Sequence, residues 1–143
     1  MPTVLIATDA DAVADEVDAA VADDSTTVIR VRAGVEVNDA VSDRQPDVVV
    51  LDLQIGAMGG MAVAKHLRAE AAMGRLPDTS ILMLLDREAD MFLARRSEVD
   101  GYLVKPLDSF RLRRAVRALL AGDSYTEPPT VETVPAVAPS AED

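Results

Sequence analysis

Val48-Val49-Val50-Leu51-Asp52 is a run of four aliphatic residues closed by an acid. A strand apolar on both faces belongs in a parallel sheet covered by helices on each side. The carboxyl ends of such strands border the crevice where open α/β folds bind ligands. Two further charged residues stand at matching places. Asp9 follows Val4-Leu5-Ile6-Ala7-Thr8, and Lys105 follows Tyr102-Leu103-Val104, with Pro106 next. Two acids and a lysine converging on one sheet edge predict a site for a divalent metal and a phosphoryl group.

The alternation around that stretch predicts five strand–helix units. The first strand spans about Thr3–Thr8 and the first helix about Ala10–Asp23, where Val13, Val17 and Val21 recur at i, i+4 and i+8. A second strand, Thr27–Val31, leads to a helix over roughly Val35–Asp43. Pro46 and Asp47 turn the chain into the third strand, Val48–Leu51, and a loop follows over Gln54–Gly59. The third helix starts near Gly60 and reaches about Met73, stopped by Gly74 and Pro77. Strand four is Ile81–Leu85, helix four about Glu88–Ser97, and strand five Tyr102–Val104. Asp108 or Ser109 caps the last helix, whose stripe is Leu112, Val116, Leu119 and Leu120, and Gly122 ends it. This order predicts an α/β domain over residues 1–123, with helices on both faces of a parallel sheet. Residues 124–143 read as a disordered tail, since four of the 8 prolines fall in Pro128–Pro139.

Composition narrows the function. The 143 residues carry no cysteine, which excludes disulfides, thiolate metal sites and cysteine nucleophiles and suits a cytoplasmic protein. No apolar stretch is long enough for a transmembrane helix, and the start lacks a basic signal-peptide region. A net charge of −11 repels nucleic acid and anionic lipid, so neither is expected as a partner. Only two of the 14 basic residues are lysines, and Lys105 is one of them.

These carriers, together with Asp100-Gly101-Tyr102-Leu103-Val104-Lys105-Pro106-Leu107, give the chain a resemblance to the receiver domain of two-component response regulators, over about residues 3–121. The resemblance implies a flavodoxin-like five-stranded sheet of order 2-1-3-4-5. It implies that Asp52 takes a phosphoryl group from a kinase phosphohistidine. Mg²⁺ would be bound by Asp9, Asp52 and the backbone carbonyl of Gln54, with Lys105 contacting the phosphoryl group. A cis Lys105–Pro106 bond is usual in the family. Elementary chemistry agrees with these roles. A carboxylate can accept a phosphoryl group covalently, and cations must offset the repulsion of two anions.

The departures from the family pattern define the chain as atypical. Thr8 stands where the first of two adjacent acids is usual. Asp11 either compensates for that loss or caps the first helix. Leu85 replaces a Thr or Ser whose hydroxyl turns to the phosphoryl group on activation. Asp86, next to it, adds negative charge. In the loop after Asp52, Ile55-Gly56 and Gly59-Gly60 replace Met-Pro and Asp-Gly, which predicts a looser loop.

Other features read as ordinary surface or packing. His66 lies beside Lys65 and Arg68, off the apolar face, and Met58 and Met61 are packing residues. Asp11, Asp15, Glu16 and Asp18 read as a solvated face and first-turn charges on the first helix. Arg111, Arg113, Arg114 and Arg117 make the last helix basic. In the family, helix four, strand five and helix five form the output and dimer face, to which Arg95, Arg96 and Tyr102 would belong.

The expected function is therefore an atypical, stand-alone phosphoacceptor in a phosphorelay, rather than a turnover enzyme. Its partners would be a histidine kinase or phosphotransfer protein and an effector protein, with a homodimer as an option. The alternative is a degenerate receiver that works as an interaction module without phosphorylation. A third class, a small-ligand α/β protein such as a flavodoxin or cobalamin-binding domain, lacks its phosphate loop and its Asp-x-His-x-x-Gly segment here.

Overall fold

A computed structural model describes residues 1–127, so the expected tail lies outside the described residues from Pro128 onward. The strands are β1 (Thr3–Ala7), β2 (Thr27–Val31), β3 (Val48–Asp52), β4 (Ser80–Leu85) and β5 (Gly101–Val104). The helices are α1 (Asp11–Val21), α2 (Val37–Arg44), α3 (Gly60–Ala72), α4 (Met91–Arg96) and α5 (Ser109–Leu120). All pairings are parallel, in the order β2-β1-β3-β4-β5, as the resemblance implies.

Every residue of β3 is buried, which is the physical meaning of its unbroken aliphatic run. Successive side chains point to opposite faces and feed two separate cores. Val49 and Leu51 pack with Val63, Leu67, Ala94 and Tyr102 on the α2–α4 side. Val48 and Val50 pack with Val17, Leu112 and Val116 on the α1–α5 side. Each fully buried Val or Leu adds about 1.5–3 kcal/mol. Two aliphatic layers thus hold the strand ends, and the charged residues there, in fixed register.

Several element ends differ from the sequence reading. β1 stops at Ala7, and β3 runs one residue further, to include Asp52. Helix four is divided. Its first turn, Glu88–Asp90, is a 3₁₀ turn in which Asp90 accepts from the Arg87 backbone N–H, leaving an α-helix of 6 residues. A similar turn, Gly34–Glu36, opens α2. The chain also continues past Gly122 in ordered form. Tyr125 pairs with Gly101 in parallel register along the outer edge of β5. The expected boundary at residue 123 therefore falls inside a contact between the domain and the next four residues.

Candidate functional site

The carboxyl ends of β1, β3, β4 and β5 converge because the four strands are parallel and in register. At their centre lies Asp52, only 2% exposed. Its Oδ1 accepts from Lys105 Nζ at 2.8 Å and from the Gln54 backbone N–H at 3.1 Å. Its Oδ2 accepts the Thr8 hydroxyl at 2.6 Å. Both oxygens of the buried carboxylate are thus satisfied, as burial requires. The Thr8 oxygen in turn accepts from the Ala10 N–H at 3.1 Å, which leaves its proton to point at Asp52.

Gly60 sets the approach of α3 to this centre. A Cβ on it would meet the Asp52 carbonyl oxygen and the Leu53 Cα, each at 2.8 Å. Only a residue without a side chain lets the helix begin this close to the strand end.

Lys105 bridges two carboxylates. Besides Asp52 it reaches Asp86 Oδ1 at 3.0 Å, and the other Asp86 oxygen accepts from Gln54 Nε2 at 2.5 Å. Burial works against the Lys105 ammonium, but the hydrogen bonds to Asp52 and Asp86 outweigh it and hold its pKa above the ordinary lysine value. Burial likewise opposes the Asp86 carboxylate, while Gln54 and Lys105 more than offset it and keep its pKa below the usual value. The sequence suggested only that Asp86 adds repulsion. In the fold it shares the lysine with Asp52 and accepts from the Gln54 side chain. The Lys105–Pro106 bond is cis.

Asp9 sits exposed at the mouth, where its Oδ2 accepts from the Gly56 N–H at 3.0 Å. That bond, with the Gly34 N–H donating to the Gly56 carbonyl at 2.9 Å, ties down the loop after β3, contrary to the expected looseness. Asp11 does not cap α1 but lies in its first turn with its side chain exposed, as a solvated charge there would. The N-cap of α1 is Ala10, without a side-chain cap, and the Asp11 carboxylate is taken by Arg30 at 2.9 Å and Arg32 at 2.7 Å. Those two hydrogen bonds, from Arg30 first and then Arg32, lower its pKa. Arg30 also donates to the Thr8 carbonyl, which fixes the end of β1.

Leu85 is fully buried in the α2–α4 core, so no hydroxyl faces the site from β4. Tyr102 is 1% exposed and its phenol oxygen accepts from Arg95 Nε at 3.1 Å. His66 lies exposed, its Nε2 3.0 Å from Asn38 Oδ1, away from the site.

The residues that could hold a divalent cation here are Asp9 and Asp52 through their carboxylates and Gln54 through its backbone carbonyl. No group of three or more His, Cys, Asp or Glu suited to a metal exists among the described residues. Two carboxylates and a carbonyl, with water completing the shell, fit Mg²⁺, which is held by one or two protein carboxylates. They do not fit a thiolate or imidazole metal.

The family relationship follows from this frame and from direct comparison. Residues 4–117 match the response regulator receiver domain, and the chain belongs to that family. It is 34% identical over 110 residues to the oxygen regulatory protein NreC of Staphylococcus carnosus, covering 74% of this chain and 48% of the relative. It is 31% identical over 78 residues to protein PilH of Pseudomonas aeruginosa, covering 54% of this chain and 64% of the relative. The chain thus spans about half the length of several curated relatives it matches. Among solved structures, the receiver domain of a Francisella response regulator superposes with a TM-score of 0.74 at 23% identity, covering 85% of this chain and 98% of the other. A LuxR-family response regulator from Aurantimonas gives 0.76 at 21% identity, with 92% of each chain covered. At those identities the structures speak for the fold alone. No helix among the described residues is long and apolar enough to cross a membrane.

Proposed function

We propose that this receiver domain accepts a phosphoryl group on Asp52 from the phosphohistidine of a histidine kinase or phosphotransfer protein in the cytoplasm. The supporting observation is the setting of Asp52, a buried carboxylate with the Lys105 ammonium 2.8 Å from one oxygen and the Thr8 hydroxyl on the other. An Asp52 oxygen attacks phosphorus, the phosphorus–nitrogen bond breaks, and the imidazole leaves. Lys105 faces the incoming negative charge as a point cation. Asp9, Asp52 and the Gln54 carbonyl would hold Mg²⁺, which supplies further charge neutralisation when bound.

Access requires rearrangement of the chain's own residues. Thr8 holds the Asp52 oxygen opposite Lys105, and that bond yields as the carboxylate attacks a donor. Output passes through protein contacts that do not depend on a β4 hydroxyl, since Leu85 stands at that position.

The test is intact-mass analysis after incubation with acetyl phosphate and Mg²⁺, followed by peptide mapping. One added phosphoryl group on the peptide containing Asp52, absent in Asp52→Ala, supports the proposal. No addition, or addition elsewhere, refutes it. The Asp86–Lys105 bond and the buried Leu85 favour a second reading, an interaction module that needs no phosphorylation. Under it, Asp52→Ala leaves partner binding unchanged.

A further inference from the structure

Edge strands expose unpaired amides and carbonyls that can recruit another segment by strand addition. The outer edge of β5 is such a strip, and residues of this same chain fill it. The Tyr102 N–H donates to the Tyr125 carbonyl at 2.9 Å, and the Tyr125 N–H donates to the Asp100 carbonyl at 3.1 Å. Two residues on, the Val104 N–H donates to Glu127 Oε1 at 2.9 Å, so a side chain serves where a further strand residue would otherwise pair.

The strip is built for that carboxylate. Arg111 grips Glu127 through Nε and Nη2, each at 2.6 Å, in the bidentate geometry of strong carboxylate recognition. The same guanidinium donates to the Val104 carbonyl at 3.0 Å and the Pro106 carbonyl at 2.9 Å, which aligns it with the strand. The Tyr125 ring packs on the α1–α5 core cluster. Gly101 leaves room for the incoming backbone: a Cβ there would lie 2.6 Å from the Tyr125 carbonyl oxygen. Beside the strip lies a cavity of about 450 Å³ whose lining includes Met91, Val104, Lys105, Pro106, Arg111 and Glu127.

We propose that the β5 edge is a peptide-docking strip for an extended segment carrying an aromatic residue two positions before an acid, and that Tyr125–Glu127 is its intramolecular ligand. A partner protein offering such a segment pairs with β5 only by displacing it. Recognition is divided into three parts. Main-chain pairing at Tyr102 gives direction, the ring seat selects the aromatic, and Arg111 with the Val104 N–H selects the carboxylate. This reading concerns main-chain pairing at one sheet edge and is independent of whether Asp52 is phosphorylated.

The probe is a fluorescently labelled peptide Ser-Tyr-Thr-Glu-Pro-Pro, matching residues 124–129, titrated into the full chain. Glu127→Ala empties the carboxylate seat, with Glu127→Gln as a milder variant should the first fold poorly. Peptide binding to the opened variant is expected to be at least about tenfold tighter than to the parent chain, since a hydrogen bond to a charged group is worth that much or more. A further Arg111→Ala change abolishes it, and so does replacing the peptide's tyrosine by alanine or its glutamate by glutamine. Amide exchange at Tyr102 and Val104 is expected to quicken about tenfold in the opened variant and to slow again with peptide. Unchanged exchange at Val104 overturns the proposal, as does peptide binding that ignores the tyrosine and the glutamate. Lack of peptide binding to a folded opened variant overturns it too. A dimer of that variant on size exclusion, with the strip closed to peptide, assigns the edge to a second copy and equally overturns it.

Discussion

Thr8 donates its hydroxyl to Asp52 Oδ2 across 2.6 Å, and both side chains are almost wholly buried. The threonine that stands where the resemblance expects an acid is therefore a donor to the Asp52 carboxylate itself. Thr8→Val keeps the shape and removes the donor. It is expected to lower unfolding stability by about 1.5–3 kcal/mol, the range for a hydrogen bond to a charged group. A urea melt at neutral pH measures this. Thr8→Asp bears instead on cation affinity. A second carboxylate beside Asp9 is expected to tighten Mg²⁺ binding about tenfold, by added charge at short range. An unchanged dissociation constant in a Mg²⁺ titration would separate Thr8 from the metal site.

The Lys105 bridge makes stability depend on pH at both ends. The Asp86 pKa is lowered in the folded state, against burial, by its bonds to Gln54 and Lys105. Its contribution is full above the unfolded carboxyl value of about 4 and is lost as pH falls through the lower folded value. The Lys105 pKa is raised, so its contribution is full below the unfolded value of about 10.4 and is lost as pH climbs through the higher folded one. Asp86→Asn is expected to flatten the acid limb of a stability–pH curve, and Lys105→Met the alkaline limb. Chemical denaturation across the pH range reads both. An acid limb of equal steepness in Asp86→Asn would remove Asp86 from the linkage.

Much of the frame was legible because it is written in long aliphatic runs. Val48–Leu51 and Ile81–Leu85 have no polar residue to give them a second interpretation, and both lie fully buried in parallel register. The meeting of Asp52, Asp9 and Lys105 at one sheet edge was legible for the same reason, since each terminates such a run. What stayed hidden depends on side-chain reach across the fold. Arg30 and Arg32 lie about twenty residues from Asp11, and nothing local shows that they occupy it. Asp86 and Gln54 meet only because β3 and β4 pair in one register. The order of Tyr125–Glu127 was obscured by the proline-rich composition just beyond it. Its signal was the pairing of Glu127 with Arg111, the first of the basic residues on α5.

Leu85 is a packing residue, and its position tests whether the missing hydroxyl can simply be restored. Leu85→Thr removes apolar volume from the cluster containing Met83, Met91 and Tyr102 and puts a hydroxyl among them. The expected cost is about 2–5 kcal/mol, as for other large-to-small core changes. Differential scanning calorimetry checks it. A loss well below that range would mean that the threonine rotates its hydroxyl toward Asp52 and finds a partner there.

Asp9 and Asp11 are two residues apart at the same strand end, yet the fold gives them different duties. The Asp11 carboxylate is spent on Arg30 and Arg32, whereas Asp9 gives one oxygen to a backbone N–H at the mouth beside Asp52. A cation that drew on Asp11 would have to break two ion pairs first, and one that drew on Asp9 would break none. Asp9→Asn is therefore expected to weaken Mg²⁺ binding by tenfold or more, about 1.4 kcal/mol, while Asp11→Asn leaves the dissociation constant unchanged. Isothermal titration of the two variants decides between them. Equal losses would show that the arginines yield Asp11 to the cation, and that the charge missing at Thr8 is made good from α1 after all.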